Sequence, residues 1–220
     1  MMIRFEDIKN SKEIQTYIEK ADQGLAALGY TEHSFAHVGK IANQASEILT
    51  KLGYDERTTE LASIAGYMHD IGNVVNRVDH AQSGAIMAFR ILDNMGMDVA
   101  EIATIISAIG NHDESTAVPV NAVAAAIILA DKSDVRRSRV RNTDYGTFDI
   151  HDRVNYSVVS SSLTLNEEKK DIVLNLTIDT NICAVMDYFE IFLGRMLLCR
   201  RAADYFKLRF KLVINDVELL

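Results

Sequence analysis

The chain has 220 residues, of which 48% are hydrophobic and 25% charged, and its formal net charge at pH 7 is -8. This length and balance indicate one globular domain, or a domain with a small extension, that can bury a core. The acidic excess argues against general nucleic-acid binding, which depends mainly on Lys and Arg contacts with phosphates. Two cysteines, Cys183 and Cys199, are too few and too far apart for a disulfide scaffold or a zinc knuckle.

Helical periodicity dominates the first part of the chain, up to about residue 142. One apolar run ends at Met68, just before Ile71-Gly72-Asn73, where a helix is expected to stop. The only proline, Pro119, precedes a later helix as a start signal should. The pattern predicts helices over Ser34 to Leu52, Leu61 to Met68, Ala81 to Leu92, Ala100 to Gly110 and Ala122 to Ala130.

A different pattern follows a loop-like stretch from Asn142 to Asn155. His151-Asp152 lies in this stretch, outside the helical pattern. Apolar residues alternate from Ile172 to Asp179, which predicts a half-buried strand with Tyr156 to Leu165 as its hairpin partner. A long amphipathic helix over Ile182 to Phe206, which includes both cysteines, and a last strand over Phe210 to Leu219 complete the unit. The predicted fold is therefore mainly α, with a helical domain over 1–142 and an α+β appendage over 143–220 packed on it, built from three short antiparallel strands and the long helix.

Histidines and carboxylates recur on or beside the separate predicted helices of the first part. Imidazole and carboxylate together suit borderline divalent metals such as Mn, Fe, Co or Zn. His69 and Asp70 adjoin a predicted helix end, so both side chains can point to one place, and a carboxylate there can bridge two metals that act on a phosphate. The candidate ligands are His37, His69, Asp70, His80, His112 and Asp131, with Asp70 as the bridge.

These residues lie in a series of short motifs whose order and spacing agree together over roughly residues 30 to 140. The motifs are His37-Val38-Gly39-Lys40-Ile41-Ala42, Met68-His69-Asp70-Ile71-Gly72, His80-Ala81-Gln82-Ser83-Gly84-Ala85, Ala108-Ile109-Gly110-Asn111-His112-Asp113-Glu114 and Leu129-Ala130-Asp131-Lys132. The series resembles that of the HD-domain metal-dependent phosphohydrolases. The pair His80 and His112 resembles the two-metal branch, which includes symmetrical dinucleoside tetraphosphate hydrolases and HD-GYP cyclic dinucleotide phosphodiesterases, although the GYP signature is absent.

The resemblance implies an HD-domain helical bundle with two divalent transition metal ions, Mn or Fe foremost, with Zn, Co or Ni as other choices. It implies that His37, His69, Asp70 and Asp131 hold one metal, that Asp70, His80 and His112 hold the other, and that Asp70 and Asp131 are catalytic. The implied reaction is attack of a metal-activated hydroxide on a phosphoester or phosphoanhydride of a nucleotide-like small molecule. Asn73 stands where relatives often have Lys, and Asn111 stands where some have His, which lowers the ligand count of the second metal.

Basic residues follow Asp131 and could bind substrate phosphate. If the helix continues beyond Asp131, Arg136 and Arg137 lie one to two turns further on, and guanidinium groups match phosphate oxygens in a bidentate way. The alternative for this basic run is a solvated face or a set of ion pairs. The candidate phosphate-binding residues are Lys132, Arg136, Arg137 and, in the loop before His80, Arg77.

Three further polar groups are expected to support the site or to lie beside it. His33, four residues before His37, is expected to be a cleft-rim or capping residue, with Thr31 or Ser34 as the helix cap. His151-Asp152 is expected to have a structural role or to support a ligand from behind. Asp134 is expected to accept a hydrogen bond from a histidine N-H.

Two other functions compete with hydrolysis of a phosphorylated small molecule or nucleotide. One is a non-catalytic metal- and nucleotide-binding regulatory module, and the other is oxygenase chemistry at a di-iron centre. The chain lacks a signal-like N-terminus and any run of about 18 apolar residues, so neither export nor membrane binding is expected, and the cytoplasm is the expected location. The appendage is expected either to cover the cleft or to form a homodimer contact.

Overall fold

The computed structural model describes residues 2–114, 116–166, 168 and 170–219. The helical part begins with two helices at the N-terminus and continues with five more that surround the candidate ligands. These helices are α1 (Phe5–Asn10), α2 (Lys12–Ala27), α3 (Phe35–Lys51), α4 (Glu56–Met68), α5 (His80–Asn94), α6 (Val99–Gly110) and α7 (Ala122–Lys132). A 3-10 turn, Ile71–Val74, joins α4 to α5.

Polar side chains at the helix starts explain where most of these helices begin. Ser34 accepts a hydrogen bond from the backbone N-H of Ala36, and Asp98 accepts from Ala100 and Glu101. Such caps satisfy backbone donors that have no partner inside the helix. Of the two caps predicted for the helix that carries His37, Thr31 and Ser34, the structure shows Ser34.

Helix α7 lies at the centre of the molecule. Every residue from Ala122 to Ala130 is buried, and α3, α4, α6 and a later helix pack against α7. Its small side chains let neighbouring backbones approach closely on all sides. Asp131, near the end of α7, therefore lies where several helices meet.

Glycine at position 72 allows the turn after α4 to pack against the first turn of α5. A Cβ atom there would overlap the carbonyl oxygen of His80 and the amide nitrogen of Gly84, and would lie 2.7 Å from Ser83 Oγ. This close approach brings the segment after His69 against the helix that begins with His80. The turn thus sets the distance between ligands of two different motifs.

The C-terminal part contains a sheet in the order β1-β2-β3-β4, comprising β1 (Val158–Asn166), β2 (Asp171–Ile178), β3 (Arg209–Ile214) and β4 (Val217–Glu218). Strands β1 and β2 form the predicted antiparallel hairpin, with Leu163 opposite Leu174. Strand β3 is parallel to β2, with Leu212 opposite Leu174, and β4 is antiparallel to β3. The mainly helical fold with a C-terminal α+β unit is confirmed.

The prediction of three antiparallel strands is wrong in two respects, and both have a physical reason. Helix α9 (Val185–Tyr205) connects β2 to β3 and returns the chain to the starting end of β2, so that β3 runs parallel to it. The segment predicted as one last strand turns back at Asn215 and Asp216, whose φ angles are 49° and 65°. Two successive positive φ angles suit a tight turn between antiparallel strands, which makes β4 a separate element.

The stretch predicted as a loop before β1 also contains a helix, α8 (Ile150–Ser157), capped by the side chain of Asp149. His151 and Asp152 therefore lie on a helix, contrary to the prediction. Helix α9 begins at Val185, so Cys183 precedes it, and both cysteine thiols are buried. Because α9 packs against α7, the C-terminal part contacts the helix that carries Asp131. The division at residue 142 stays a prediction.

None of the helices in the described part of the chain is long and apolar enough to cross a membrane.

Candidate metal centre

The six candidate ligands come from five helices or their ends and meet in one place. His37 lies on α3, His69 and Asp70 follow α4, and His80 is the first residue of α5. His112 follows α6, and Asp131 lies near the end of α7. The four histidines and Asp70 are buried, and the Asp131 side chain is 12% exposed.

The Nε2 atoms of the four histidines surround the two carboxylate oxygens of Asp70. Asp70 Oδ2 lies 3.2 Å from His69 Nε2 and 3.6 Å from His37 Nε2. Asp70 Oδ1 lies 3.4 Å from His80 Nε2 and 3.8 Å from His112 Nε2. One carboxylate oxygen thus faces each pair of histidines, an arrangement in which a single carboxylate can bridge two metal ions.

The other ring nitrogen of each histidine is held by an acceptor. Nδ1 lies 2.7 Å from the Gly66 carbonyl oxygen in His69, 3.0 Å from the Arg77 carbonyl oxygen in His80 and 2.6 Å from the Ile109 carbonyl oxygen in His112. In His37 it lies 2.8 Å from Asp134 Oδ2. A proton on each Nδ1 leaves the Nε2 lone pair directed to the centre, as a metal ligand requires. The contact predicted for Asp134 is present.

Asp131 completes the arrangement on the side of His37 and His69. Its Oδ1 atom lies 3.4 Å from His37 Nε2 and 3.8 Å from His69 Nε2. These two buried Nε2 atoms have no hydrogen-bond partner among the described residues. Buried polar atoms are normally satisfied, so an unsatisfied pair beside carboxylates fits a cation that would complete both.

Three sets of three residues have ligand atoms within 4.8 Å of one another and could each hold a metal ion. The donors are imidazole nitrogen and carboxylate oxygen, which suit divalent transition metals. The sets are His37, His69 and Asp70; His69, His112 and Asp131; and Asp70, His80 and His112.

Asn73, which directly follows the His69-Asp70-Ile71-Gly72 motif, supports the central carboxylate. Its Nδ2 group donates to Asp70 Oδ1 at 2.9 Å and to the Asp70 carbonyl oxygen at 3.0 Å. These bonds orient the carboxylate toward the histidines. The Asn73 side chain is buried, so its contacts are shielded from water.

The electrostatics of the centre favour charged carboxylates. Burial alone would raise the pKa of Asp70, but the neighbouring His69 and His37 hold it well below its usual range. Burial opposes ionisation of Asp131 too, yet Lys132 and His37 hold its pKa well below the usual range. Burial lowers the pKa of His112 well below its ordinary value, with His69 and Lys132 acting in the same direction.

His37 differs from the other histidines because three carboxylates surround it. Burial and Arg139 would lower its pKa, but the nearby carboxylates of Asp131, Asp134 and Asp70 raise the pKa to about 9. The same dense negative charge that attracts a proton in this place suits a divalent cation. This part of the centre therefore has the strongest preference for positive charge.

Lys132 and Arg77, two of the candidate phosphate-binding residues, line the cleft in front of the ligands. Lys132 Nζ lies 2.7 Å from Asp131 Oδ2 and 3.2 Å from Glu114 Oε2. Arg77 Nη1 lies 3.3 Å from His80 Nε2. Both cations are therefore within reach of a group bound at the centre.

Arg136 and Arg137 have other contacts because α7 ends at Lys132, contrary to the assumption that the helix continues. Arg136 Nε donates to Asp134 Oδ1 at 3.0 Å. Arg137 donates to the Tyr156 carbonyl oxygen at 2.6 Å and lies over the Tyr156 ring. Among the described residues, the lining of the cleft does not include either arginine.

Two arginines that the sequence reasoning did not single out line the cleft. Arg139 belongs to the same basic run and is buried, and its Nη1 donates to the Asp134 carbonyl oxygen at 2.9 Å. Arg195 comes from α9, with its Nε 2.6 Å from Glu114 Oε1. Arg139 is one of the basic residues that follow Asp131, so the positive charge of that run was a signal for it. Nothing in the local sequence around Arg195 indicates that α9 reaches the site.

A cavity of about 420 Å³ adjoins the metal centre. Four residues that line both this cavity and the small cleft in front of the ligands, His33, Arg77, Arg139 and Arg195, are called the basic throat. His33 therefore lies at the cleft, as expected, with its Nδ1 2.7 Å from the Thr31 carbonyl oxygen. The part of the cavity beyond the throat, the outer chamber, is lined by Leu28, Gly29, Tyr30, Thr31, Asp149, His151, Asp152, Asn155 and Phe192.

The family model of the HD domain matches residues 31–190, well over half of the chain. The chain belongs to the HD domain family. The match includes all six candidate ligands and three residues of the basic throat, His33, Arg77 and Arg139, and it ends within the first two turns of α9, before Arg195.

An uncharacterized protein of Methanocaldococcus jannaschii is 28% identical over 162 residues, which cover 64% of this chain and 62% of that protein. The chain thus spans less than two thirds of the length of this curated relative. A crystal structure of a protein from an uncultured Thermotogales bacterium, described as a predicted HD superfamily hydrolase, is 26% identical with a TM-score of 0.45. That match covers 57% of this chain and 68% of the other.

Proposed function

We propose that this HD-domain protein is a metal-dependent phosphohydrolase that cleaves a phosphoester or phosphoanhydride bond in a nucleotide-like small molecule. The observation that carries the proposal is the position of Asp70, whose two oxygens each face a pair of histidine Nε2 atoms at 3.2 to 3.8 Å. A simple structural role does not explain four buried imidazoles oriented on one buried carboxylate. Membership of the HD family supports the same conclusion.

Two metal positions follow from this arrangement. His37, His69, Asp70 and Asp131 would hold the first ion, and Asp70, His80 and His112 would hold the second. When bound, divalent metal ions supply Lewis acidity that polarises phosphoryl oxygens and makes water a stronger acid. Mn or Fe is the expected ion, because mixed imidazole and carboxylate ligands suit both.

The chain's own contribution is to bind and orient the phosphate. The guanidinium groups of Arg139 and Arg195 lie at the throat between the outer chamber and the ligands, where bidentate contacts with phosphate oxygens would fix the group. Lys132 Nζ, 2.7 Å from Asp131, adds a third positive charge. Positive groups fixed in advance near the nonbridging oxygens would stabilise the charge that develops during the reaction.

The first experiment is a turnover screen of the purified protein loaded with Mn or Fe. The substrates are mononucleotides, dinucleoside polyphosphates and cyclic dinucleotides, and the products are inorganic phosphate and the released nucleotide. We expect turnover of at least one class. Nucleotide binding without any turnover would favour a non-catalytic regulatory module, and metal-dependent oxygen uptake would favour oxygenase chemistry.

The second experiment tests Asp70 as the bridge by counting metal ions per chain. Asp70→Ala removes both oxygens that face the histidines, and we expect it to bind fewer than two ions while the wild type binds two. Asp98→Ala is the matched control, since Asp98 caps the far end of α6 from His112. Retention of two ions by Asp70→Ala would show that the bridging assignment is wrong.

A further inference from the structure

The cleft changes in charge along its length. Its inner part, next to the proposed metal ligands, is lined by the cations of the basic throat. Its outer chamber instead contains the two carboxylates of Asp149 and Asp152, together with the amide of Asn155 and the single imidazole of His151. A molecule that fills both parts therefore meets positive charge at one end and negative charge at the other.

The two outer carboxylates are held in place by local contacts. Asp149 caps α8 by accepting a hydrogen bond from the Asp152 backbone N-H at 2.8 Å. Asp152 Oδ2 accepts from Asn142 Nδ2 at 3.3 Å. Because a carboxylate has about four lone-pair positions, these contacts use only part of what each can accept. Both groups can therefore also accept hydrogen bonds from hydroxyl or amino groups of a ligand.

Two aromatic rings of the chamber contact arginines of the basic throat. The Arg195 guanidinium lies 4.3 Å from the centroid of the Phe192 ring, and that of Arg77 lies 5.9 Å from the centroid of the Tyr30 ring. These rings hold two throat cations at the chamber entrance. The Tyr30 ring, which is exposed, also offers apolar surface against which a sugar or base ring can pack.

We propose that the outer chamber binds the hydroxyl-bearing end of a substrate that carries phosphate at one end only, and that Asp149 and Asp152 disfavour a second phosphate at the outer end. The proposal rests on the proposed function for the inner end of the cleft. A cavity of about 420 Å³ lies at the small end of the usual range for ligand pockets, which suits one compact molecule. Carboxylates accept hydrogen bonds from a sugar diol, as they do from ribose in dinucleotide-binding folds, and repel a phosphate in the same position.

The test compares two ligands that differ only in the outer phosphate: adenosine 5′-monophosphate and adenosine 3′,5′-bisphosphate. Their dissociation constants are measured by titration calorimetry with the full chain loaded with Mn, and product formation is followed separately. We expect the wild type to bind the monophosphate about tenfold more tightly, because the second phosphate faces two like charges.

Asp149→Asn should reduce this preference, since it removes one charge and retains a side chain that can cap α8. Asp149→Asn combined with Asp152→Asn should reduce it further. The matched control is Asp98→Asn, which removes the same charge from the cap of α6 outside the chamber and should leave the preference unchanged. An equal or reversed preference in the wild type, binding of neither ligand, or an unchanged preference in both Asp149 variants would overturn the inference.

The two proposals fail in different ways. Binding with a preference that depends on Asp149, but without hydrolysis of any phosphate, would support the outer chamber and contradict the hydrolase. Hydrolysis of both ligands with equal affinity would support the hydrolase and contradict the role of the outer chamber.

Discussion

Replacement of Asp134 by asparagine should weaken metal binding at His37, although Asp134 is not one of the proposed ligands. The Asp134 carboxylate is buried, with Oδ2 2.8 Å from His37 Nδ1. Its Oδ1 accepts from Lys40 Nζ at 2.6 Å and from Arg136 Nε at 3.0 Å. Burial alone would raise the pKa of Asp134, but its hydrogen bond with His37 and the charge of Arg139 keep the pKa well below its usual range, so the group is an anion at neutral pH.

The consequence of Asp134→Asn depends on which way the new amide group is turned, because its NH2 group donates hydrogen bonds and its oxygen accepts them. If the new amide keeps its oxygen toward Lys40 and Arg136, its NH2 group faces His37 Nδ1, which then has to accept. The proton of His37 moves to Nε2, and the atom facing Asp70 and Asp131 can no longer bind a metal. If the amide is reversed, its NH2 group faces two cations instead, which costs free energy of unfolding.

The magnitude follows from similar contacts behind metal ligands, whose loss lowers metal affinity by about 10- to 100-fold, or about 1.4 to 2.7 kcal/mol. The hydrogen bonds lost or weakened in a buried place should also lower the free energy of unfolding by about 1 to 3 kcal/mol. The metal effect should be confined to the site that includes His37, so that the second site keeps its affinity.

Titration calorimetry with Mn measures both affinities, and the NMR shifts of the His37 ring nitrogens report which one carries the proton. The matched control is Asp171→Asn, since Asp171 is also buried and pairs with Arg209 Nε at 2.7 Å on the sheet. The control should lower stability by a similar amount without changing metal affinity. Wild-type metal affinity and an unchanged His37 proton position in Asp134→Asn would refute the reasoning.

Three other outcomes are expected. Gly72→Ala should lower the free energy of unfolding by about 3 kcal/mol in a denaturant titration, because the added methyl group overlaps the backbone of His80 and Gly84. In the control Gly39→Ala, the added Cβ meets no described atom within 4 Å, so this change should be neutral or stabilising. Equal losses of stability in both variants would contradict the packing argument. Mn at 100 times its dissociation constant should stabilise the protein by about 2.7 kcal/mol and raise Tm by roughly 5 to 10 °C, and a chelator should reverse this rise. An unchanged Tm would count against the metal site. Asn73→Ala should reduce metal affinity about tenfold by calorimetry, since it removes the donor 2.9 Å from Asp70 Oδ1, and full affinity would show that this bond does not orient the carboxylate.

Local sequence features predicted much of the helical part because the physics involved is local. Ser34 caps α3 through a contact two residues away, and α4 ends at Met68, shortly before the turn that contains Gly72. Strand pairing was harder to predict. The parallel pairing of β2 and β3 depends on where α9 packs, and the split of β3 from β4 depends on positive φ angles at Asn215 and Asp216, which hydrophobic alternation does not encode.

The candidate site also combines local features that could be predicted with long-range contacts that could not. His37, His69, His80 and His112 could be singled out because each lies in a short motif beside a helix end, and the structure brings all four around Asp70. No such motif indicates which arginines line the cleft. Arg136 and Arg137 follow the end of α7 at Lys132 and are not among the described residues that line the cleft.

The sequence by itself determined the type of chemistry, since the ligand atoms are properties of residue types and their helices follow from local periodicity and capping. Only the tertiary structure decided which cations and carboxylates share the cleft. Arg139 reaches the throat because it is buried against the Asp134 carbonyl, and Arg195 reaches it because α9 packs on α7, 64 residues after Asp131 in the chain. Such long-range contacts depend on how whole helices pack, and no local pattern around Arg195 or Asp149 specifies that packing.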